Sequence, residues 1–230
     1  MPLSKINVIA FDADDTLWVN ETLFRATEIE FCRLMRDYID EEECNKRLFD
    51  VEMRNLPTYG YGIKPFTLSL IEAAIEFSEG KVSVKTINEL IELGKSMLEA
   101  PLELIDGVKE TLQQLSGKYR LVMATKGDLL DQERKLIKSG LEPYFHHIEI
   151  VSDKTEVQYK KLVNHLDIEP HEFLMVGNSV KSDILPVLAI GGHAFHIPFH
   201  TTWAHELVGE PVKNENFRLL GNAREMLELL

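Results

Sequence analysis

Apolar positions change rhythm twice along the chain. Ile6 to Phe11 (INVIAF) is a short, near-continuous apolar run rich in β-branched residues, the pattern of a strand buried on both faces. From about Thr22 to Ala100 the apolar positions recur instead at spacings of three and four. They run through Phe24, Thr27, Phe31, Leu34 and Tyr38, then Leu68, Ile71 and Ile75, then Ile87, Leu90, Ile91, Gly94, Met97 and Leu98. These stripes predict amphipathic helices. Leu56 to Lys64 (LPTYGYGIK), with one proline and two glycines, predicts a loop between them.

After Pro101 the two periods alternate. Val108, Leu112 and Leu115 mark a helix closed by Gly117, and Tyr119 to Ala124 a strand. Leu129, Leu136 and Ile137 mark a helix ending near Gly140, a candidate left-handed cap. Then come a strand at Ile148 to Val151, a helix through Tyr159, Leu162, Val163 and Leu166, and a strand at Phe173 to Val176. A helix at Ile184 to Ile190 and a strand at Ala194 to Ile197 follow, and Asn222 with Glu225 resembles a capping box for a last helix. Such alternation predicts an α/β fold: a three-layer, doubly wound, Rossmann-like parallel sheet. The helical block is expected as an all-helical cap at 17–100, inserted into a core formed by 1–16 and 101–230.

Composition narrows the partners. The chain has 230 residues, 44% of them hydrophobic, as expected of a globular protein. Its 38 Asp and Glu outweigh 25 Lys and Arg, for a net charge of −13, which argues against nucleic acid and against anionic membrane surfaces. The two cysteines, Cys32 and Cys44, cannot form a disulfide framework and read as ordinary buried residues in a reducing compartment. Met1 to Phe11 is too short, and too closely followed by acidic residues, for a signal peptide. No apolar run reaches the roughly 18 residues of a membrane span. A cytoplasmic protein is expected, its oligomeric state open.

Ligands of an open parallel sheet sit beyond the carboxyl ends of its strands. Asp12, Ala13, Asp14, Asp15 and Thr16 follow the first strand here, and Thr125, Lys126 and Gly127 the second. Asp153 and Lys154 follow the third, and Gly177, Asn178, Ser179 and then Asp183 the fourth. Carboxylates, hydroxyls, an ammonium and glycines on one rim suit a phosphoryl group and a divalent cation. Asp15 alone reads as a solvated acidic turn.

These residues resemble the signatures of the haloacid dehalogenase superfamily. Asp12-Ala13-Asp14-Asp15-Thr16-Leu17 is similar to its first motif, Asp-x-Asp-x-Thr-Leu, and Ala124-Thr125-Lys126-Gly127 to its second. Lys154 resembles the third, and the stretch from Val176 to Asp183 (VGNSVKSD) the fourth. The insertion resembles the helical cap of the family's first cap class, as in phosphoglycolate-phosphatase-like members. The resemblance implies that Asp12 attacks phosphorus to form an aspartyl-phosphate. It implies that Asp14 protonates the leaving oxygen and later takes a proton from water. Thr125, Gly127 and Lys154 would hold the phosphate.

Mg²⁺ is the implied cofactor, bound by Asp12, the Asp14 backbone carbonyl and a fourth-motif side chain, Asn178 or Asp183. Three carboxylates, Asp12, Asp14 and Asp183, against one Lys154 leave a net negative pocket that a divalent cation would neutralise. The chain departs from the family at Asn178, usually aspartate, and at Lys126, usually asparagine. Lys126 is either a further cation for the phosphate or an exposed lysine turned away from the site.

Asp14 favours phosphoesters, because a halide leaves without a proton and an alkoxide does not. The expected activity is therefore Mg²⁺-dependent hydrolysis of small phosphorylated metabolites. A phosphomutase, a 2-haloacid dehalogenase and a non-catalytic ligand-binding descendant are the alternatives. From the cap, Arg25, Arg54, Tyr59, Tyr61 and Lys64 are candidates for substrate contact. His196 and His200 have metal-like spacing, but Pro198 between them argues against one helix face. Gly60-Tyr61-Gly62 follows no strand and is not a nucleotide fingerprint, and the acidic run at Asp40 to Glu43 reads as a solvated helix end.

Overall fold

In a computed structural model, which describes residues 3–230, six strands pair in one all-parallel sheet. In chain order the elements are β1 (Val8–Phe11), α1 (Glu21–Met35), α2 (Glu41–Tyr59), α3 (Ile63–Phe77), α4 (Val84–Glu99) and α5 (Val108–Leu115). There follow β2 (Arg120–Lys126), α6 (Leu129–Ser139), β3 (His147–Val151), α7 (Glu156–His165), β4 (Phe173–Gly177), α8 (Leu185–Ala189), β5 (His193–His196) and β6 (Phe217–Leu219). The chain divides into two compact units. One comprises Met1–Glu21, Leu102–Lys126 and Gln132–Leu230, the other Thr22–Pro101 and Gly127–Asp131.

The first unit holds the sheet, in the order β3-β2-β1-β4-β5-β6. Phe11 pairs with Met123 on one side and Val176 on the other. The order reverses at β1, so the carboxyl end of β1 opens into the crevice where doubly wound sheets bind ligands. Alternate residues of β1 serve opposite layers, as a period of two requires. Ile9 and Phe11 pack with Val108, Leu112, Leu115, Leu136 and Met226. Val8 and Ala10 pack with Tyr159, Leu162, Val163 and Val187.

The structure departs from the sequence expectation in several places. β6 was not anticipated, because Arg218 and Leu219 of this edge strand are exposed and give no buried apolar run. β2 extends through Thr125 and Lys126. Before α8, where no element was expected ahead of Ile184, Val180–Ile184 forms one π-helical turn. The last helix is a short 3₁₀ turn, Ala223–Glu228, capped by Asn222. Leu129 and Ile137 of the α6 stripe are exposed, while Asp131, Gln132 and Leu136 are buried.

The second unit has its own core of Phe31, Met35, Leu48, Val51, Phe66, Leu70, Phe77, Leu90 and Met97. Asp40 caps α2 by accepting from the Glu43 N–H. α2 then runs on through Pro57 to Tyr59, so most of the expected Leu56–Lys64 loop is helix. A proline in the last turn forfeits a single helical hydrogen bond, and the break falls at Gly60, with φ of 76°. α3 is apolar nearly all round, which hides the phase of its stripe. Leu68 and Ile75 face out, and Phe66, Leu70, Ala73 and Phe77 face in. Gly94 permits α4 to approach α3, since a Cβ there would lie 2.2 Å from Thr67 Oγ1. No helix among the described residues is long and apolar enough to cross a membrane.

Candidate active site

The Asp12 backbone N–H continues the ladder from β1, donating to Val176 O at 2.9 Å. The chain then folds back tightly. Ala13 O accepts from Leu17 N at 2.8 Å, and Asp15 N donates to Trp18 O at 2.7 Å. Asp15 takes a left-handed φ of 62°, which asparagine and aspartate tolerate better than most residues. It is not a solvated turn residue. Its buried carboxylate accepts from the backbone N–H of Asn20 at 2.8 Å and of Glu21 at 3.0 Å, at the head of α1. Burial pushes its pKa up to about 7, against the pull of those two hydrogen bonds.

Beside Asp12 lies a buried charge cluster. The Lys154 ammonium donates to Asp12 Oδ1 and, at 2.6 Å, to Asp183 Oδ1. Asp183 Oδ2 accepts from the Ser179 N–H at 3.0 Å. Asp12, Lys154 and Asp183 are 7%, 6% and 1% exposed, so each charge depends on the others. Burial pushes the Asp12 carboxyl up to about 7. Lys154 opposes the rise, and Asp183 and Asp14 add to it. Burial disfavours the Lys154 charge, but the two carboxylates outweigh it and hold its pKa above the ordinary lysine value. The cluster needs Gly177, because a Cβ there would sit 2.3 Å from Asp183 Cγ.

The donor set can be tested against the implied Mg²⁺. The Asn178 side-chain amide has one atom 3.2 Å from Asp12 Oδ2, 3.2 Å from the Asp14 carbonyl O and 3.3 Å from Thr16 Oγ1. With nitrogen in that position, the amide donates to all three. With oxygen there, a carboxylate, an amide and a carbonyl oxygen converge with no proton among them, the hard oxygen set that Mg²⁺ collects. The residues therefore fit the ion. No group of three His, Cys, Asp or Glu side chains is gathered for a metal among the described residues.

The Asp14 carboxylate is held by three donors: Trp18 Nε1 at 2.7 Å, Gln132 Nε2 at 2.8 Å and Lys135 Nζ at 2.9 Å. Lys135 is a second cation that the sequence count of pocket charge omitted. It leaves the three carboxylates with one uncompensated negative charge, so a divalent ion would make the pocket positive and better matched to a phosphate dianion. Lys126 is not turned outward. It pairs with Glu206 at 2.5 Å and donates to Ser182 Oγ at 3.0 Å. Glu206 also accepts from Ser179 Oγ and, at 2.7 Å, from Ser182 Oγ. Burial would raise its pKa, but Lys126 and the two serines lower it to about 2. Thr125 is buried at the end of β2, its hydroxyl making a long 3.4 Å contact to Lys126 O. Gly127 follows with φ of 138°, a conformation that suits glycine.

A family profile described as haloacid dehalogenase-like hydrolase matches residues 6–191. The chain belongs to this family. Human N-acylneuraminate-9-phosphatase is 26% identical over 225 residues, covering 93% of this chain and 88% of its own. A haloacid dehalogenase-like hydrolase from Xanthomonas campestris, solved by crystallography, is 37% identical. The match covers 96% of this chain and 88% of that one, with a TM-score of 0.85. The hydrolase YfnB of Bacillus subtilis, solved bound to magnesium, shares the fold at 17% identity. Its TM-score is 0.65, and 97% of each chain is covered.

In this haloacid dehalogenase-like hydrolase the first, third and fourth motifs come together around Asp12. The cap candidates lie in the helical unit. Arg25 pairs with Glu28 at 2.8 Å, Arg54 with Glu76 at 2.7 Å, and Lys64 with Asp128 at 2.8 Å. Tyr59 donates to Glu72 at 2.5 Å, and Tyr61 lies in the break between α2 and α3. His196 and His200 do not meet. The His196 ring N–H donates to Asn178 O at 2.9 Å, bracing the fourth motif, and His200 bonds Thr201. The sequence did not point to Thr16 as an Asp12 partner, nor to Gln132, Lys135 and Glu206, and it offered His196 only as a metal candidate. For Gln132 and Lys135 a signal existed, two polar residues three apart on one face of a predicted helix.

Proposed function

We propose that this haloacid dehalogenase-like hydrolase is a Mg²⁺-dependent phosphatase of small phosphorylated metabolites. The observation that carries the reading is the buried Asp12–Lys154–Asp183 cluster next to Asp14. A weak carboxylate nucleophile becomes effective when it is held in place and its charge is matched. Asp12 attacks phosphorus, and the bond from phosphorus to the ester oxygen breaks. The departing oxygen takes the Asp14 proton, leaving a phosphoryl group on Asp12. Water then attacks that phosphorus, gives its proton to Asp14, and frees Asp12 and inorganic phosphate.

Lys154 and the Thr125 hydroxyl offer donors for the phosphoryl oxygens, with the Gly127 N–H. Asp12, the Asp14 carbonyl and Asn178 would hold Mg²⁺, and Asp183 acts through Lys154. When bound, the ion would supply charge neutralisation for the phosphoryl oxygens. Residues 17–100 serve as the cap that selects substrate, with Arg54, Tyr59, Tyr61 and Lys64 the candidates to contact it. The two free cysteines suit a reducing cytoplasm.

The test is a phosphate-release screen over sugar phosphates, glycolytic phosphates and nucleotides, with N-acylneuraminate 9-phosphate included, with and without Mg²⁺. The reading expects release from at least one small phosphomonoester, lost on chelation. Release of chloride from chloroacetate, with no phosphate released from any ester, would overturn it.

A further inference from the structure

Asp14 is more tightly held than an acid that must shuttle a proton needs to be. Both of its oxygens are occupied: Oδ1 by Trp18 Nε1 and Lys135 Nζ, Oδ2 by Gln132 Nε2. Gln132 is 2% exposed, and its orientation is determined by what surrounds it. Its Nε2 faces two acceptors, Asp14 Oδ2 and Lys126 O at 3.1 Å, while its buried Oε1 has no hydrogen-bond partner among the described residues. Leaving an amide oxygen unpaired in the interior is costly, so the contact to Asp14 is maintained against that cost. Lys135 is largely enclosed as well, and its ammonium bridges Asp14 and Asn20 Oδ1 at 2.7 Å. All three donors fit the ionised carboxylate.

We propose that Gln132 and Lys135 are positioning residues that stabilise the charge appearing on Asp14 as it gives up its proton to the departing alcohol. The inference rests on the phosphatase reading above and names the part of the machinery that serves the leaving group. In the first step the electron pair of the breaking phosphorus–oxygen bond goes to the alcohol oxygen. The Asp14 proton follows it, and Asp14 is left as an anion. Donors already aimed at both oxygens of that carboxylate stabilise the charge as it develops in the transition state. The cradle should therefore matter when the leaving oxygen is strongly basic and needs the proton. It should matter little when the leaving group departs as a stable anion.

The experiment compares kcat/KM for glycerol phosphate, an alkyl ester, with kcat/KM for p-nitrophenyl phosphate, whose leaving group needs no proton. This parameter reports steps only through loss of the alcohol, so the later hydrolysis of the phosphoryl-enzyme does not enter. For Lys135→Met and for the isosteric Gln132→Glu, which sets acceptor against acceptor, kcat/KM on the alkyl ester should fall by roughly 10²-fold, the scale of general acid catalysis. The aryl ester should change by no more than about threefold, and Lys135→Arg should recover most of the alkyl activity. Equal losses on both esters would mean a merely structural role and overturn the inference, as would no loss on either. Lys135 keeps 15% of its side chain exposed whereas Gln132 is buried, so its variants keep the test valid if the Gln132 change reduces folding. A wild-type enzyme inactive on both esters with Mg²⁺, and on the wider screen, would instead overturn the phosphatase reading and this inference with it.

Discussion

The most deeply buried ion pairs lie in the α/β unit, and several pairs of the helical unit lie on its surface. In the helical unit Arg54 and Glu76 keep 56% and 41% of their side chains exposed, and Lys81 and Glu79 still more. Such pairs contribute little, because water already solvates both partners. In the α/β unit Lys154 and Asp183 are 3% and 1% exposed, and Lys126 and Glu206 17% and 10%. Burying charges costs several kcal/mol per ion, and a hydrophobic core would have been simpler to stabilise. The pairings of Lys154, Lys126 and Lys135 with carboxylates are gathered at one rim of the sheet, a placement that fits the proposed chemistry better than it serves stability.

Four substitutions would sharpen or break this contrast. Lys154→Met should leave Asp12 and Asp183 buried without a counter-charge. It should cost about 3–5 kcal/mol in urea unfolding and lower kcat by roughly 10³-fold or more, and a folded, active variant would break the contrast. Gly177→Ala should displace Asp183, and with it Lys154. The expected loss of kcat is on the order of 10²-fold, with a smaller loss of stability, measured by steady-state kinetics and thermal unfolding.

Glu206→Gln tests the second buried pair. The folded pKa of Glu206 is depressed to about 2, so its stabilisation is present above the unfolded value near 4.5 and is lost as pH falls through the folded value. The difference between wild type and variant should be about 2–3 kcal/mol at pH 7 and shrink as pH falls from about 4.5 toward 2, in unfolding curves at matched pH. Arg54→Ala, on the helical surface, should leave the unfolding midpoint almost unchanged, and still more nearly so in high salt.

Much of the fold was legible because a strand buried on both faces leaves an unbroken apolar run, as β1 and β4 do. β6 was not, since Arg218 and Leu219 lie at an open edge. Pro57 and two glycines suggested a longer break than the helix makes, because the end of a helix tolerates a proline that its middle does not. The meeting of Asp12 with Lys154 was legible because each follows directly on a strand end. The residues the sequence did not point to are tied in by tertiary contact. Gln132 and Lys135 reach Asp14 across separations of 118 and 121 residues, and Glu206 reaches Lys126 across 80. Spacing along the chain can place Gln132 and Lys135 on one helix face, but it does not say which residue that face meets. Asp15 shows the same limit at short range. Its composition read as a solvated turn, and only the left-handed backbone directs its carboxylate at the head of α1.

The central claim is that Asp12, charge-matched by Lys154, is the nucleophile of phosphoryl transfer. The most direct measurement is acid quenching of the enzyme during turnover of a phosphomonoester with Mg²⁺, followed by mass spectrometry of the peptide carrying Asp12. The account predicts one added phosphoryl group on Asp12, absent from Asp12→Asn, which should have lost turnover. Full turnover by Asp12→Asn, or a phosphoryl group found on another residue, would contradict it.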